Sequence, residues 1–237
     1  MTNTSTQDSG DQPVFRSRYG PQQLRDLLGL AEFQHERATQ AGIMPRPDAA
    51  GGKWSGKVAR VMYAHRVGIR RNAGSVPDLG AERAAEFLAA RLGIEVEPHA
   101  VHELGRQGRI LIVGYYKEHP LYCGRSLENW HGVDEVEQAN ITGERLIADR
   151  AADRLGIRRS DFAHLVRLGW ISPVAWGRGP FTAKKYSPDV PLYRAGDITD
   201  LLNDPAINWD AVRAVPAGKR SALANLPDRN TDATEEN

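Results

Sequence analysis

Two stretches of this chain gather cationic side chains with few acids to neutralise them. From Lys53 to Arg71 (KWSGKVARVMYAHRVGIRR) there are six Lys and Arg and no carboxylate. From Arg154 to Arg194 there are eight, against Asp161 and Asp189. Such side chains can neutralise a polyanion and release its counterions. That chemistry depends on local charge density, so a net charge of only +1 does not count against it. The acids collect elsewhere, in VDEVE (Val133 to Glu137) and in the closing stretch PDRNTDATEEN.

Other chemistries find little support. GRQGRILIVG and WGRGPFTAKK are glycine-rich and basic, but neither has the spacing of a phosphate-cradling loop between a strand and a helix. His102-Glu103-Leu104 lacks the second histidine of a zinc-protease helix. Cys123 is the one cysteine, so no disulfide or thiolate cage can form within the chain. No histidine or aspartate is spaced to activate it as a nucleophile, and no carboxylate cluster offers two-metal hydrolysis. The sequence therefore reads as a protein without catalytic residues, cofactor or metal. No apolar run approaches the about 18–20 residues of a membrane span. The opening MTNTSTQDSGDQP has neither a basic n-region nor an apolar h-region. A reducing, cytoplasmic setting is expected.

The elements that would carry the cations come from an internal repeat. Leu28-Gly29-Leu30, Leu92-Gly93-Ile94 and Leu155-Gly156-Ile157 recur at intervals of 64 and 63 residues. GERLIADRAADRLGI (Gly143 to Ile157) parallels GAERAAEFLAARLGI (Gly80 to Ile94). In both, Ala and Leu return at helical steps between charged residues, the pattern of an amphipathic helix. The glycine after leucine suits a left-handed helix stop. A second short helix follows each triplet. In the third copy it is RRSDFAHLVRLGWI, with Ser160 as the expected N-cap and Gly169 as the stop. Then comes a Gly/Pro-rich, strand-prone segment. It ends at Trp54, Tyr122 or Tyr193 and leads into KVARVM, SLENW or DITDLL. Each unit reads helix, turn, helix, hairpin, helix, which predicts a mainly α fold with small β-hairpins. Trp54, Trp170 and Trp176 are expected to pack in the core or on the hairpins.

This pattern resembles the winged helix-turn-helix of MerR-type regulators and phage excisionases. The third copy carries it best, through Ala151, Ala152, Leu155, Gly156, Ile157, Gly169, Tyr193, Arg194, Asp197, Ile198, Leu201 and Leu202. The second has Cys123 where the family usually has a wing arginine, and the first has Ser55 and a short wing. The resemblance implies tandem winged helix-turn-helix units at 19–66, 77–132 and 141–203. Segment 67–76 and acidic segment 133–140 would be linkers. Residues before about Tyr19 and after about Pro216 are polar and poor in apolar residues, which predicts a disordered tail at 1–18 and a mostly disordered one at 204–237.

The resemblance also implies that the second helix of each unit enters the major groove of duplex DNA and the wing touches backbone or minor groove. In the third unit the helix would present Arg158, Arg159, Ser160, His164 and Arg167, and the wing Arg178, Lys184, Lys185 and Arg194. The first would present Gln34, His35, Arg37 and Gln40, with Lys53 and Lys57 near its wing. The second offers His99, His102, Arg106 and Arg109. Lys184-Lys185 is the strongest phosphate candidate, since adjacent lysines at a hairpin tip serve no evident structural need. The expected partner is double-stranded DNA. The role is transcription regulation or excisionase-like control of recombination in a mobile element. A scaffold that recruits a recombinase or replication factor is the alternative.

Overall fold

A computed structural model describes residues 13–178, 189–216 and 218–230. Within them the chain is about half helical and carries small antiparallel sheets. In order the elements are β1 (Arg18–Tyr19), α1 (Pro21–Leu28), α2 (Glu32–Gln40), β2 (Trp54–Ser55), α3 (Gly56–Ala64), α4 (Arg66–Ala73), α5 (Ala81–Leu92) and α6 (Pro98–Arg106). The hairpin β3 (Ile112–Tyr116) and β4 (His119–Tyr122) follows, then α7 (Gly124–Glu128), α8 (Val133–Gly143), β5 (Arg145–Ile147), α9 (Ala148–Leu155) and α10 (Arg159–Arg167). The last elements are β6 (Ala175–Arg178), β7 (Asp189–Arg194), α11 (Ala195–Leu202), α12 (Trp209–Arg213) and a 3-10 turn at Ala222–Asn225.

Two compact units result. The first comprises residues up to Leu79 together with Val113–Trp130, and the second comprises Gly80–Ile112 together with His131 onward. The stretch 77–132 is thus divided, with α5 and α6 in the second unit and the hairpin from Val113 through α7 in the first.

The glycine stops are where the sequence placed them. Gly29, Gly93 and Gly156 end α1, α5 and α9 at φ of 62°, 71° and 67°, and Gly42, Gly108 and Gly169 follow the second helices at 66°, 68° and 70°. A side chain there would force a β-carbon into a region disfavoured for L-residues.

The repeated aromatic does more than close a hairpin: it pairs with the residue that precedes the first helix. Tyr19 faces Trp54 and Leu146 faces Tyr193 in antiparallel register, and Leu79 bridges Tyr122. In the third repeat this makes a three-stranded sheet in the order β5-β7-β6. Gly143–Ile147 is accordingly not the start of a helix, as periodicity predicts. Arg145–Ile147 is strand β5, and the cross-strand bonding of three residues overrides their helical spacing.

The unit cores follow the apolar stripes. In the first, Leu24, Leu28, Ala38, Met44, Trp54, Ala59 and Met62 pack together. In the second, Leu155, Phe162 and Leu165 pack with Tyr193, Ile198 and Leu201. Phe162 meets Tyr193 edge-on at 4.9 Å.

Three segments expected as linkers or tails are packed elements instead. Segment 67–76 is mostly α4, which buries Ile69 and Ala73 and lies against α2. The acidic segment 133–140 opens α8, which buries Val136 and Ala139 and packs on α6 and α11. Its Asp134 and Glu135 sit in the first helical turn, where the helix dipole favours them. Beyond residue 203, Ile207, Trp209, Val212 and Leu223 join the core of the second unit. Their spacing over short elements gives no periodic signal long enough to read. At the other end, Phe15 meets Tyr63 edge-on at 5.7 Å, so part of segment 1–18 also packs.

Candidate nucleic-acid interface

α10 starts one turn after Gly156. Its N-cap is Arg158, in extended backbone, and not Ser160, which lies exposed in the first turn. Arg158 is engaged within the fold. Its guanidinium donates to both Asp161 oxygens, Nε at 2.7 Å and Nη2 at 2.8 Å, and Nη1 donates to the Pro216 carbonyl at 3.0 Å. Burial of Asp161 opposes its ionised form. The Arg158 and Ser221 hydrogen bonds and the Arg158 charge outweigh that, holding its carboxyl below the usual aspartate range.

Phe162 and Leu165 face the core and Asp161 is also buried, which fixes what faces outward. Arg159, Ala163 and Arg167 form an outward stripe at four-residue spacing. Ser160 and His164 flank it. Arg159 touches Asp149 at 3.0 Å, but both side chains are more than half exposed, so this contact is weak. His164 Nδ1 lies 3.3 Å from Arg167 Nη2. The stripe is therefore cationic, with a small residue at its centre.

The wing strands carry the remaining third-repeat candidates. Arg178 ends β6. Its side chain, together with Lys184 and Lys185, lies outside the described residues. Trp176 is 66% exposed on β6, contrary to the expectation that it packs. Arg194, expected at the wing, is an internal anchor. Its side chain is 13% exposed, with Nη1 donating to Glu103 Oε1 at 3.0 Å and Nε to Asp197 Oδ1 at 2.9 Å. Glu103 is itself buried and also accepts from Arg106 and Gln107, both at 2.7 Å. The Arg106 hydrogen bond is the largest of several influences that keep the Glu103 carboxyl ionised below its usual range.

Arg194→Ala is expected to cost the second unit about 2–3 kcal/mol. That is less than the about 3–5 kcal/mol of a fully orphaned pair, because Arg106 and Gln107 remain on Glu103. The lowered Glu103 pKa gives this network a pH window. Its contribution is complete above the ordinary glutamate value of about 4.3 and is lost as pH falls through the depressed folded value. Urea midpoints at neutral pH and at acid pH check this: the difference between wild type and variant should narrow on acidification.

The other two second helices present different surfaces. In α2, Gln34 and His35 are buried. Gln34 Nε2 donates to the Gly74 carbonyl at 2.6 Å, and its Oε1 accepts the Ala31 N–H. His35 lies edge-on to Trp54 at 5.7 Å, and burial lowers its pKa. Arg37 is spent on the Ala73 and Val76 carbonyls and on Asp78. What α2 shows outward is Glu32, Glu36 and Gln40, a face that would repel phosphate. Lys53 and Lys57 are exposed.

α6 packs on α8. His99 Nε2 donates to the Asn140 carbonyl at 2.9 Å, and a β-carbon on Gly143 would come within 2.7 Å of the His99 carbonyl oxygen. Arg106 pairs with Glu103 and Arg109 with Glu135, though both arginines are more than half exposed, and His102 lies on a helix whose neighbours Val101 and Glu103 are buried.

Of the three second helices, α10 thus keeps the cationic outward face. The sequence named Arg159, Ser160, His164 and Arg167 for that face. It did not reveal that Arg158, Arg194, Arg37 and Gln34 serve the fold, since an arginine reads the same whether its acceptor is a phosphate or a distant carbonyl.

No group of three or more His, Cys, Asp or Glu among the described residues is placed to hold a metal ion. No helix among them is long and apolar enough to cross a membrane. Comparison with protein-family models, with curated proteins and with solved structures gives no match to this chain.

Proposed function

We propose that the chain is a non-catalytic, duplex-DNA-binding protein built from tandem winged helix-turn-helix units, and that it reads DNA chiefly through α10. The observation that carries this reading is the α10 stripe of Arg159, Ala163 and Arg167. An exposed helix with arginines at each end of one face fits the major groove, where a guanidinium can make two hydrogen bonds to guanine. The element order around it, strand, helix, helix, two strands and helix, also agrees with that class of module. In the cell, such a protein would act as an excisionase-like directionality factor or a transcription regulator of a mobile element.

A recruiting role has its own support. The outward face of α2 is acidic and α6 packs on α8, which supports protein contact as a second use for these two repeats.

The first test is binding to a pool of duplex fragments at increasing salt. Arg167, Lys184 and Lys185 together would neutralise about three phosphates, giving a slope of about −2.7 in log–log form. A flat response, or no binding at low salt, would leave the recruiting role ahead.

A further inference from the structure

In the first unit, α3 and α4 flank an open apolar groove of about 330 Å³. Ile43, Val58, Val61 and Ile69 line it, and Lys57 and His65 stand among them. Val61 is 57% exposed, although it sits mid-helix where a polar residue would cost nothing. Lys57 and Arg60 are exposed on the same helix, and the whole stretch from Lys53 to Arg71 contains no carboxylate.

We infer that this groove is a docking site for an acidic amphipathic helix of a partner protein. Duplex DNA is the weaker fit. A phosphate backbone needs cations, but it gains nothing from an exposed aliphatic floor. An amphipathic helix uses both features: its apolar residues at i, i+3, i+4 and i+7 enter the groove, and its carboxylates meet Lys57 at the groove, which favours encounter and register. The chain supplies no such segment from its undescribed parts. Residues 1–12 and 231–237 carry acids but no apolar residue larger than alanine beyond Met1. Residues 179–188 are cationic. The outward face of α2 is acidic but lacks an apolar stripe. The inference is independent of DNA reading by α10, which lies in the other unit.

The experiment uses the full chain and two labelled synthetic peptides followed by fluorescence anisotropy. One has leucines at i, i+3, i+4 and i+7 with glutamates between them, and the other has lysines in place of the glutamates. The glutamate peptide is expected to bind, and the lysine peptide to bind at least about tenfold more weakly. Val61→Asp should weaken the glutamate peptide by about tenfold or more, because it removes apolar floor, competes for Lys57 one turn away and repels the peptide's glutamates. Lys57→Glu should weaken it through the rim. Both side chains are exposed, and unchanged thermal melts would show the fold intact.

Equal binding of the two peptides, or binding indifferent to Val61→Asp, would overturn the proposal. Loss of duplex-DNA affinity in Lys57→Glu with peptide affinity unchanged would assign the rim to DNA instead. A solution dimer that Val61→Asp converts to monomer would assign the groove to a second copy of the chain. If the α10 arginines prove irrelevant to DNA while the peptide effects stand, the DNA reading fails and the docking site does not.

Discussion

A chain ending at Asn203 is expected to lose most of the stability of its second unit. The deletion removes Ile207, Trp209, Val212 and Leu223, which share one core with Leu155, Phe162 and Leu165. Burying each is worth at most about 1.5–3 kcal/mol. Four such side chains approach the total of about 5–15 kcal/mol that holds a whole domain. Polar anchors go with them. Arg213 donates from Nη2 and Nε to the Leu155 carbonyl at 2.9 and 3.2 Å, capping the end of α9. Trp170 Nε1 donates to the Pro227 carbonyl at 2.9 Å, and the Arg229 guanidinium stacks on the Trp170 ring. Arg158 loses the Pro216 carbonyl, so the start of α10 loosens as well. Calorimetry on this truncation and on the full chain decides the matter. If the truncation keeps a cooperative transition within a few degrees of the full chain, Ile207, Trp209, Val212 and Leu223 are not part of the core. Trp209→Ala is a gentler check, with an expected cost of about 3–5 kcal/mol.

The second large effect concerns α10. Arg159→Glu with Arg167→Glu should lower duplex-DNA affinity by about 100-fold or more at moderate salt, since each change removes an attraction and adds a repulsion. That corresponds to about 2.7 kcal/mol. The salt slope should flatten by about 0.9 for each phosphate that is no longer neutralised. Finer substitutions separate roles. Arg159→Ala, as a bidentate base contact, should cost about 1–3 kcal/mol and relax preference at one position. Lys184→Ala with Lys185→Ala should weaken all sequences alike, because phosphate contacts carry no sequence information. Arg158→Ala should lower the melting temperature, because it leaves buried Asp161 with fewer partners. Titrations against a fragment pool, with melts of each variant, provide the readout. Undiminished affinity in the double reversal would remove α10 as the reader.

The sequence alone determined the repeat, its glycine stops and the helical stripes that pack. These are local properties: a left-handed stop needs glycine, and a 3.6-residue apolar period needs a buried face. It also placed Arg159 and Arg167 on the outer side of a short helix, because Phe162 and Leu165 fix the inner side. The tertiary structure decided what depends on partners far along the chain. Tyr193 pairs with Leu146 and Trp54 with Tyr19, so residues before the first helix become strands. Val136 and Ala139 find α6, and an apparent acidic linker becomes a packed helix. Arg194 and Arg37 read as DNA contacts until Glu103 and the Ala73 and Val76 carbonyls arrive beside them. A guanidinium satisfies any acceptor of suitable geometry. Its spacing in sequence records that it is present, and only the fold supplies the acceptor.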